Sequence, residues 1–329
     1  MKKVILLSCL LCIFLTLQVK AESEKNVLQE RMALYKKMES ITFVPWFYYA
    51  AIDQYERNIR SVRRDIPKQS SGSIAIYIRP EIWSGGLNPT TNDTNPVTIS
   101  LFGGVGKDGN GDGQADSTND EDILRTFVDY LHLQHTDREH LKIKLWRYYK
   151  RAKTVELITQ YAQLYEKYNT LDIRGNAFPL PLHYNYSYRS TWGDRRSFGG
   201  LRIHEGTDIF ANYGTPVRAT CYGIVEIKGW NRLGGWRIGI RDLYNNYYYY
   251  AHLGGFSKEI RLGQIVEPGT VIGFVGSTGY GPPGTAGKFP PHLHFGMYKD
   301  NGYTEWSFDP YPHLRLWEKQ DRLKQKRKH

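Results

Sequence analysis

"LRIHEGTDIF", residues 201–210, sets a histidine and an aspartate four positions apart with a glycine between them. On a helix that spacing would place both side chains on one face. The neighbours argue otherwise. Leu201 and Ile203 precede the turn, Ile209 and Phe210 follow it, and Gly206-Thr207 interrupts it, which is the texture of two strands and a bend. On a straight strand the Cα atoms of His204 and Asp208 would stand roughly 13 Å apart, too far to share an ion held at about 2.1 Å per bond. They converge only if the chain turns at Glu205-Gly206-Thr207. Two readings stand at this point: one corner of a metal site, or a polar loop between strands.

The surroundings extend the strand reading. "TPVRATCYGIVEIKGW", "WRIGIRDLYNNYYYYAHL", "QIVEPGTVIGFVGSTG" and "HLHFGMYK" are short β-type runs broken by Gly and Pro. They predict an antiparallel β domain over 173–315, with "YNNYYYY" as a strand alternating between core and solvent. Before it, residues 24–66 and 122–168 read as helical, so that 24–172 forms a mainly helical domain. Thr136 with Glu139 predicts a capping box, followed by a stripe of Leu141, Leu145, Tyr148, Ala152, Val155 and Ala162. The stripe is simplest as core packing. The fold class is therefore two-domain α + β.

Both ends carry their own signals. Lys2 and Lys3, an apolar run from Val4 to about Leu17, and Val19-Lys20-Ala21 read as a signal peptide over 1–21; an uncleaved membrane anchor is the other reading. Once 1–21 is removed, Cys221 is the sole cysteine, so no internal disulfide forms and stability rests on packing. The net charge is +11, and the tail over 316–329 is strongly basic, read as a solvated end. An exported cationic protein is drawn to anionic wall polymers or membrane surfaces. No nucleic-acid motif is present, and nothing in the sequence states an oligomeric state.

Chemistry-bearing residues concentrate in the β domain. "PPHLHFGMY" places His292 and His294 two apart in a strand-like run, which sends both side chains to one face with Cα atoms roughly 6.6 Å apart. His252 ends another such run in "YYYYAHLGG". Each histidine alone is more simply an ordinary polar residue. Three His-bearing segments beside Asp208 in one small domain point to a shared site.

In its order of motifs the run from about 186 to 298 closely resembles the lysostaphin/LytM-type zinc peptidases, which cut peptides of bacterial cell walls. The resemblance rests on "HEGTD", "GTPVRATCYGIVEI", "YYAHL", "GQIVEPGTVIGFVGSTG" and "PPHLHFGMY", with "STWGDRR" upstream. It implies a zinc ion held by His204, Asp208 and His294, with water in the fourth position. Two imidazoles and a carboxylate leave an open coordination site on a Lewis-acidic ion. It further implies that His252 and His292 act on the water and the scissile carbonyl, without saying which does which. The loop "GSTGYGPPGTAGKF" is then a long flexible wall of a substrate groove.

The amino-terminal segments "TFVPWFYYAAIDQYERN" and "GGVGKDGNGDGQADSTNDEDILRTFVDYL" resemble the lysozyme-like fold of lytic transglycosylases. That resemblance puts Glu56 where those enzymes carry their acid, although the usual Glu-Ser pair is here Glu56-Arg57. A helix-face or ion-paired glutamate is the competing reading. Independently, Asp108, Asn110, Asp112, Gln114 and Asp116 occupy the liganding positions of a calcium loop, with Asn119 in place of the final bidentate Glu. An acidic solvated loop is the alternative there.

The pairing of a lysozyme-like domain with a zinc peptidase domain resembles the sporulation endopeptidases that cut between L-Ala and D-Glu. The function so implied is zinc-dependent hydrolysis of peptidoglycan stem peptides in the cell wall or spore cortex, outside the cytoplasm. A non-catalytic wall-binding scaffold and a bifunctional peptidase plus lytic transglycosylase are the alternatives.

Overall fold

The computed structural model describes residues 2–67, 72–134, 137–197 and 201–327, with backbone only over 2–21. It divides into two compact units, Met1–Asp172 and Ile173–His329. No helix among the described residues is long and apolar enough to cross a membrane. The side chains of the expected signal segment, 1–21, lie outside the described part.

The first unit is helical: α1 (Lys2–Thr42), α2 (Trp46–Val62), the short α3 (Pro80–Trp83) and α4 (Pro96–Leu101), α5 (Asp120–Leu131), α6 (Arg138–Tyr149) and α7 (Ala152–Tyr168). The expected helix over 24–66 breaks at 43–45, where Phe43 turns to φ 58° and Pro45 disfavours helical backbone at Val44. Beneath that break lies a buried charge network. Asp53 accepts from the Arg31 guanidinium at 2.7 Å, Arg57 at 3.0 Å and the Tyr35 hydroxyl at 2.8 Å. A carboxylate so fully partnered is tolerated in a core where a bare one would not be.

The expected run over 122–168 resolves into α5, α6 and α7. His132 and Lys150 end α5 and α6 in left-handed backbone, each at φ 53°. Ala152, expected in the buried stripe, is exposed, while Leu157, Ile158, Tyr161 and Tyr165 join Leu141, Leu145 and Val155 inside. The expected cap changes too. Thr136 lies outside the described residues; Asp137 caps α6 by accepting from His140 N at 2.9 Å, and Glu139 pairs instead with Lys142 at 2.8 Å.

The second unit is the antiparallel β domain expected from the sequence. Its strands are β1 (Tyr186–Tyr188), β2 (Arg195–Arg196), β3 (Arg202–Ile203), β4 (Thr207–Ala211), β5 (Pro216–Arg218), β6 (Gly223–Asn231), β7 (Gly235–Arg241), β8 (Asn246–Phe256), β9 (Ile265–Val266), β10 (Val271–Val275), β11 (His292–Asp300) and β12 (Glu305–Phe308). The main sheet runs β1-β4-β11-β8-β7-β6-β9, with β12 on β11 and β10 between β8 and β5; β2 and β3 pair apart. Strand alternation does the sorting. Leu293, Phe295 and Met297 of β11 and Tyr248 and Tyr250 of β8 face a core shared with Ile209, Val225, Ile238 and Leu253. The intervening residues of β11 and β8 face the other way, and there the site forms. Cys221 is a free, buried thiol within the core.

The tail's basic residues from Lys319 to Arg327 are exposed, but the tail begins as part of an ordered element. It continues a helix, α8 (Tyr311–Lys326), so the expected boundary at 315/316 falls inside a helical element. Leu314 and Trp317 are buried in the sheet's core, with the Trp317 ring 6.1 Å from Phe295 and 6.0 Å from Tyr248. Glu318 then accepts from the Tyr186 and Tyr188 hydroxyls at 2.8 and 2.5 Å. The basic residues occupy the outer face of the same helix. Truncating a buried tryptophan typically costs about 3–5 kcal/mol. Trp317→Ala is expected to lower stability by about that amount, read by urea unfolding; a change below about 1 kcal/mol would mean that α8 only rests on the sheet.

Candidate active site

Strands β4 and β11 run antiparallel with His294 directly opposite Asp208 and His292 opposite Phe210. Side chains so paired share one face. The turn at 204–206 brings His204 to the same place. Asp208 Oδ1 lies 3.0 Å from His204 Nε2 and 3.1 Å from His294 Nδ1, and the two nitrogens are 2.9 Å apart. Three lone-pair donors this close require a shared proton or cation among them. Ligands at about 2.1 Å around a tetrahedral ion would be about 3.4 Å apart, so the triangle is slightly contracted but of the right form. Among the described residues this is the one group of His, Cys, Asp and Glu placed to hold a metal ion.

Gly206 has a sharper role than a turn residue. A Cβ there would stand 2.6 Å from His294 Cε1 and 2.7 Å from Phe295 O. Only a residue without a side chain lets β11 approach closely enough for His294 to reach Asp208.

Two further groups orient the ligands. The Nδ1–H of His204 donates to Thr191 O at 2.8 Å, which leaves Nε2 with its lone pair toward Asp208. Arg196 donates to Asp208 Oδ2 at 2.7 Å, so one carboxylate oxygen faces the imidazoles and the other is held. Thr191 and Arg196 lie within "STWGDRR", a segment that sequence reasoning marked without assigning roles. Burial by itself would raise the Asp208 carboxyl; hydrogen bonds to His204 and His294 hold it well below the usual carboxylate range instead.

His252 and His292 stand beside this triangle. Their rings lie 4.9 Å apart, and His292 Nε2 is 3.7 Å from Asp208 Oδ1. His252 sits where β8 shifts register against β7, and its backbone is left-handed at φ 61°. Each ring donates Nδ1–H to a backbone carbonyl, His252 to Thr278 O at 2.7 Å and His292 to Pro290 O at 2.8 Å. Each therefore keeps Nε2 as a lone pair. Burial, with His292 and His294 close by, pushes His252 down to about 3, and burial also lowers His292. Both are neutral bases near pH 7.

All five residues line one groove of about 630 Å³, walled by Arg202, Leu233, Tyr249, Tyr280 and Phe289 among others. In the tyrosine strand, Tyr249 faces the groove while Tyr248 and Tyr250 pack in the core, as alternation predicts. The loop before the histidine pair supplies a wall, but it is tied rather than flexible. Bridges join Gly276 to His292 and Thr278 to Ala286, and Gly287 N donates to Ser277 O at 3.1 Å.

The other expected site residues lie in the first unit. Glu56, on α2, is half-buried and accepts from the Tyr149 hydroxyl at 2.6 Å. Arg57 turns away from it to Asp53 and Ser73 O. The calcium expectation finds no support: among the described residues the loop's acidic side chains are not gathered as a metal-holding group, and they organise backbone turns. Asp108 accepts from Gly111 N at 2.6 Å and Gly113 N at 2.8 Å, Asp112 from Gln114 N at 2.8 Å, and Asn110 from Asp112 N at 2.9 Å. Asp116 accepts from Thr118 N at 2.8 Å, and Gln114 is exposed. Asn119, at the twelfth position, is the N-cap of α5. The loop is organised around the buried Asp122, which accepts from Gly109, Asn110 and Asp116 backbone N–H groups.

Residues 202–309 match the sequence profile of peptidase family M23, and over the whole chain the relationship extends further. The chain belongs to peptidase family M23. It is 59% identical over 325 residues to the L-Ala–D-Glu endopeptidase of Bacillus subtilis, across 98% of this chain and 99% of that one. Lysostaphin of Staphylococcus simulans is 36% identical over 119 residues, spanning 36% of this chain and 22% of that one. A crystal structure of lysostaphin's catalytic domain from the same organism is 31% identical, covers 40% of this chain and 92% of that chain, and superposes with a TM-score of 0.32.

The triangle includes His294 and leaves His292 beside it. His294→Ala is expected to lose bound zinc, whereas His292→Ala keeps zinc by metal analysis and loses turnover; wall cleavage at full rate in either variant would refute the division. Glu56 allows a test by pH. Burial pushes its carboxyl up to about 7, against the opposing Tyr149 hydrogen bond. Unfolded, it ionises near 4.3. Between those values the folded chain binds more protons than the unfolded one, so stability falls as pH rises through that window. Glu56→Gln is expected to be more stable than the parent chain at pH 8 by about 1–2 kcal/mol and to match it at pH 4, measured by chemical denaturation.

Proposed function

We propose that this chain is a zinc-dependent endopeptidase that hydrolyses the L-Ala–D-Glu bond of peptidoglycan stem peptides, acting in spore cortex maturation. What carries the reading is the 59% identity across nearly the full length of both chains to an endopeptidase named for that bond. The donor set supports zinc: two imidazole nitrogens and one carboxylate oxygen, with the second carboxylate oxygen held by Arg196. Zinc bound there would polarise a peptide carbonyl and lower the pKa of water. His204, Asp208 and His294 would hold it.

His252 and His292 then share the proton work. Each presents a neutral Nε2 to the groove, with its other nitrogen fixed on a backbone carbonyl. One accepts the proton of the attacking water at Nε2; the other, in the form that carries a proton on Nε2, donates to the carbonyl oxygen and serves the departing amine. Tyr249, Tyr280 and Phe289 flank the peptide and limit water around it. With ligands and bases all in place, nothing favours a non-catalytic scaffold. Peptidoglycan lies outside the cytoplasm, which accords with residues 1–21 as an export segment. The cationic surface suits anionic wall polymers.

A second reading concerns the helical unit. We read it as lysozyme-like, with Glu56 as an acid, because this carboxyl holds its proton to about 7 beside Tyr149. Anhydro-muropeptide products would support that activity, and loss of such products in Glu56→Gln would assign it.

Mass spectrometry of digests of purified peptidoglycan tests the main proposal. New fragments beginning with D-Glu are expected from the zinc-loaded protein, and none after chelation; cleavage confined to another bond would refute it. Chelation is also expected to lower the melting temperature, since zinc present at about 100 times its Kd stabilises by about 2.7 kcal/mol.

A further inference from the structure

The groove carries charges that the metal site does not use. Asp208 belongs to the triangle, and Arg196 is committed to Asp208. Glu205 accepts from the Tyr298 hydroxyl at 3.4 Å. Arg202 and Lys288 converge on a single residue, Tyr280. The Arg202 guanidinium donates to the Tyr280 hydroxyl at 2.5 Å and lies 5.6 Å from its ring centroid. Lys288 Nζ donates to the backbone oxygen of Tyr280 at 2.8 Å. The ring itself stacks on His252, 5.9 Å between centroids and 18° between planes.

Tyr280 and His252 share another property. Both are non-glycine residues in left-handed backbone, at φ 57° and 61°. Such conformations disfavour side chains and persist where surrounding structure holds them for a purpose. Here the strained pair places a base and a cation at the two ends of one aromatic stack. Arg202 also precedes His204 by two positions, the spacing that keeps extended-chain side chains on one side.

The substrate supplies a matching anion. In the stem peptide, D-Glu continues through its γ-carboxyl, so its α-carboxylate hangs free on the carbon next to the scissile nitrogen. Standard bond lengths put that charge within roughly 4 Å of the bond being cut. An ordinary α-linked or glycine peptide has a neutral amide there. A guanidinium carries five N–H donors in a rigid planar fork, a geometry that matches a carboxylate.

We propose that Arg202, held on Tyr280 and supported by Lys288, binds the free α-carboxylate of D-Glu and so selects an acidic residue on the amine side of the scissile bond. This rests on the L-Ala–D-Glu reading above. The test uses the full-length zinc-loaded protein and two N-acetylated peptides, L-Ala–γ-D-Glu–L-Lys and its α-carboxamide analogue. The parent chain is expected to prefer the acid by about tenfold or more in kcat/KM, mainly through KM. Arg202→Gln should shrink that preference to within about twofold, with zinc content unchanged. Arg202→Lys should keep part of the preference, and Tyr280→Phe should lose part of it. Full acid preference in Arg202→Gln, or equal turnover of both peptides by the parent, would overturn the inference and leave the bond assignment standing. Cleavage of neither peptide by the parent would overturn both.

Discussion

The site depends on one cross-strand pairing, Asp208 of β4 opposite His294 of β11. A strand's side chains alternate, so a slip of one residue would carry every group on β11 to the opposite face. Leu293 and Phe295 would then enter the groove, and both histidines would enter the core. The apolar face of β11 therefore fixes the polar one. Gly206 is the local condition for this pairing, because any side chain there would strike His294 and the backbone of Phe295.

The core behind β11 is completed from far along the chain. Trp317 packs against Phe295 and Tyr248, and Glu318 gathers the Tyr186 and Tyr188 hydroxyls of β1, the strand that edges β4. Helix α8 thus touches the strand order at two places, β1 and the β8–β11 pair. Opposite it, on the groove side, His252 is delivered by a register shift in β8 rather than by regular alternation. Regular pairing places Asp208, His292 and His294, and irregular pairing places His252.

Much of this was legible in the residues alone. Period-two spacing put His292 and His294 on one face, and the apolar residues around Gly206 required a bend that brings His204 to Asp208. What escaped was whatever depends on tertiary approach. Gly206 reads as a turn residue until β11 is seen against it. Arg196 and Thr191 looked like any polar loop residues, since their work is to hold atoms of His204 and Asp208. The helical stripe missed at Ala152, next to the left-handed backbone of Lys150, while Val155 and Ala162 are buried as expected. The tail's charge hid an apolar edge only two residues wide, Leu314 and Trp317. Calcium-loop spacing was present only up to its ninth position, and its side chains serve turns, with Asn119 at the twelfth capping α5. Spacing records which side chains can converge; it does not record which backbone amides reach them first.

His204 and His294 meet across 90 positions of chain. No short fragment holds the metal triangle, and no partly folded chain that lacks β11 on β4 does either. A hydrolase whose ligands are contiguous in sequence can bind metal, and begin cutting, before its fold is complete. Here the triangle forms only where β11 pairs with β4, so its three side chains come together only once the domain has folded.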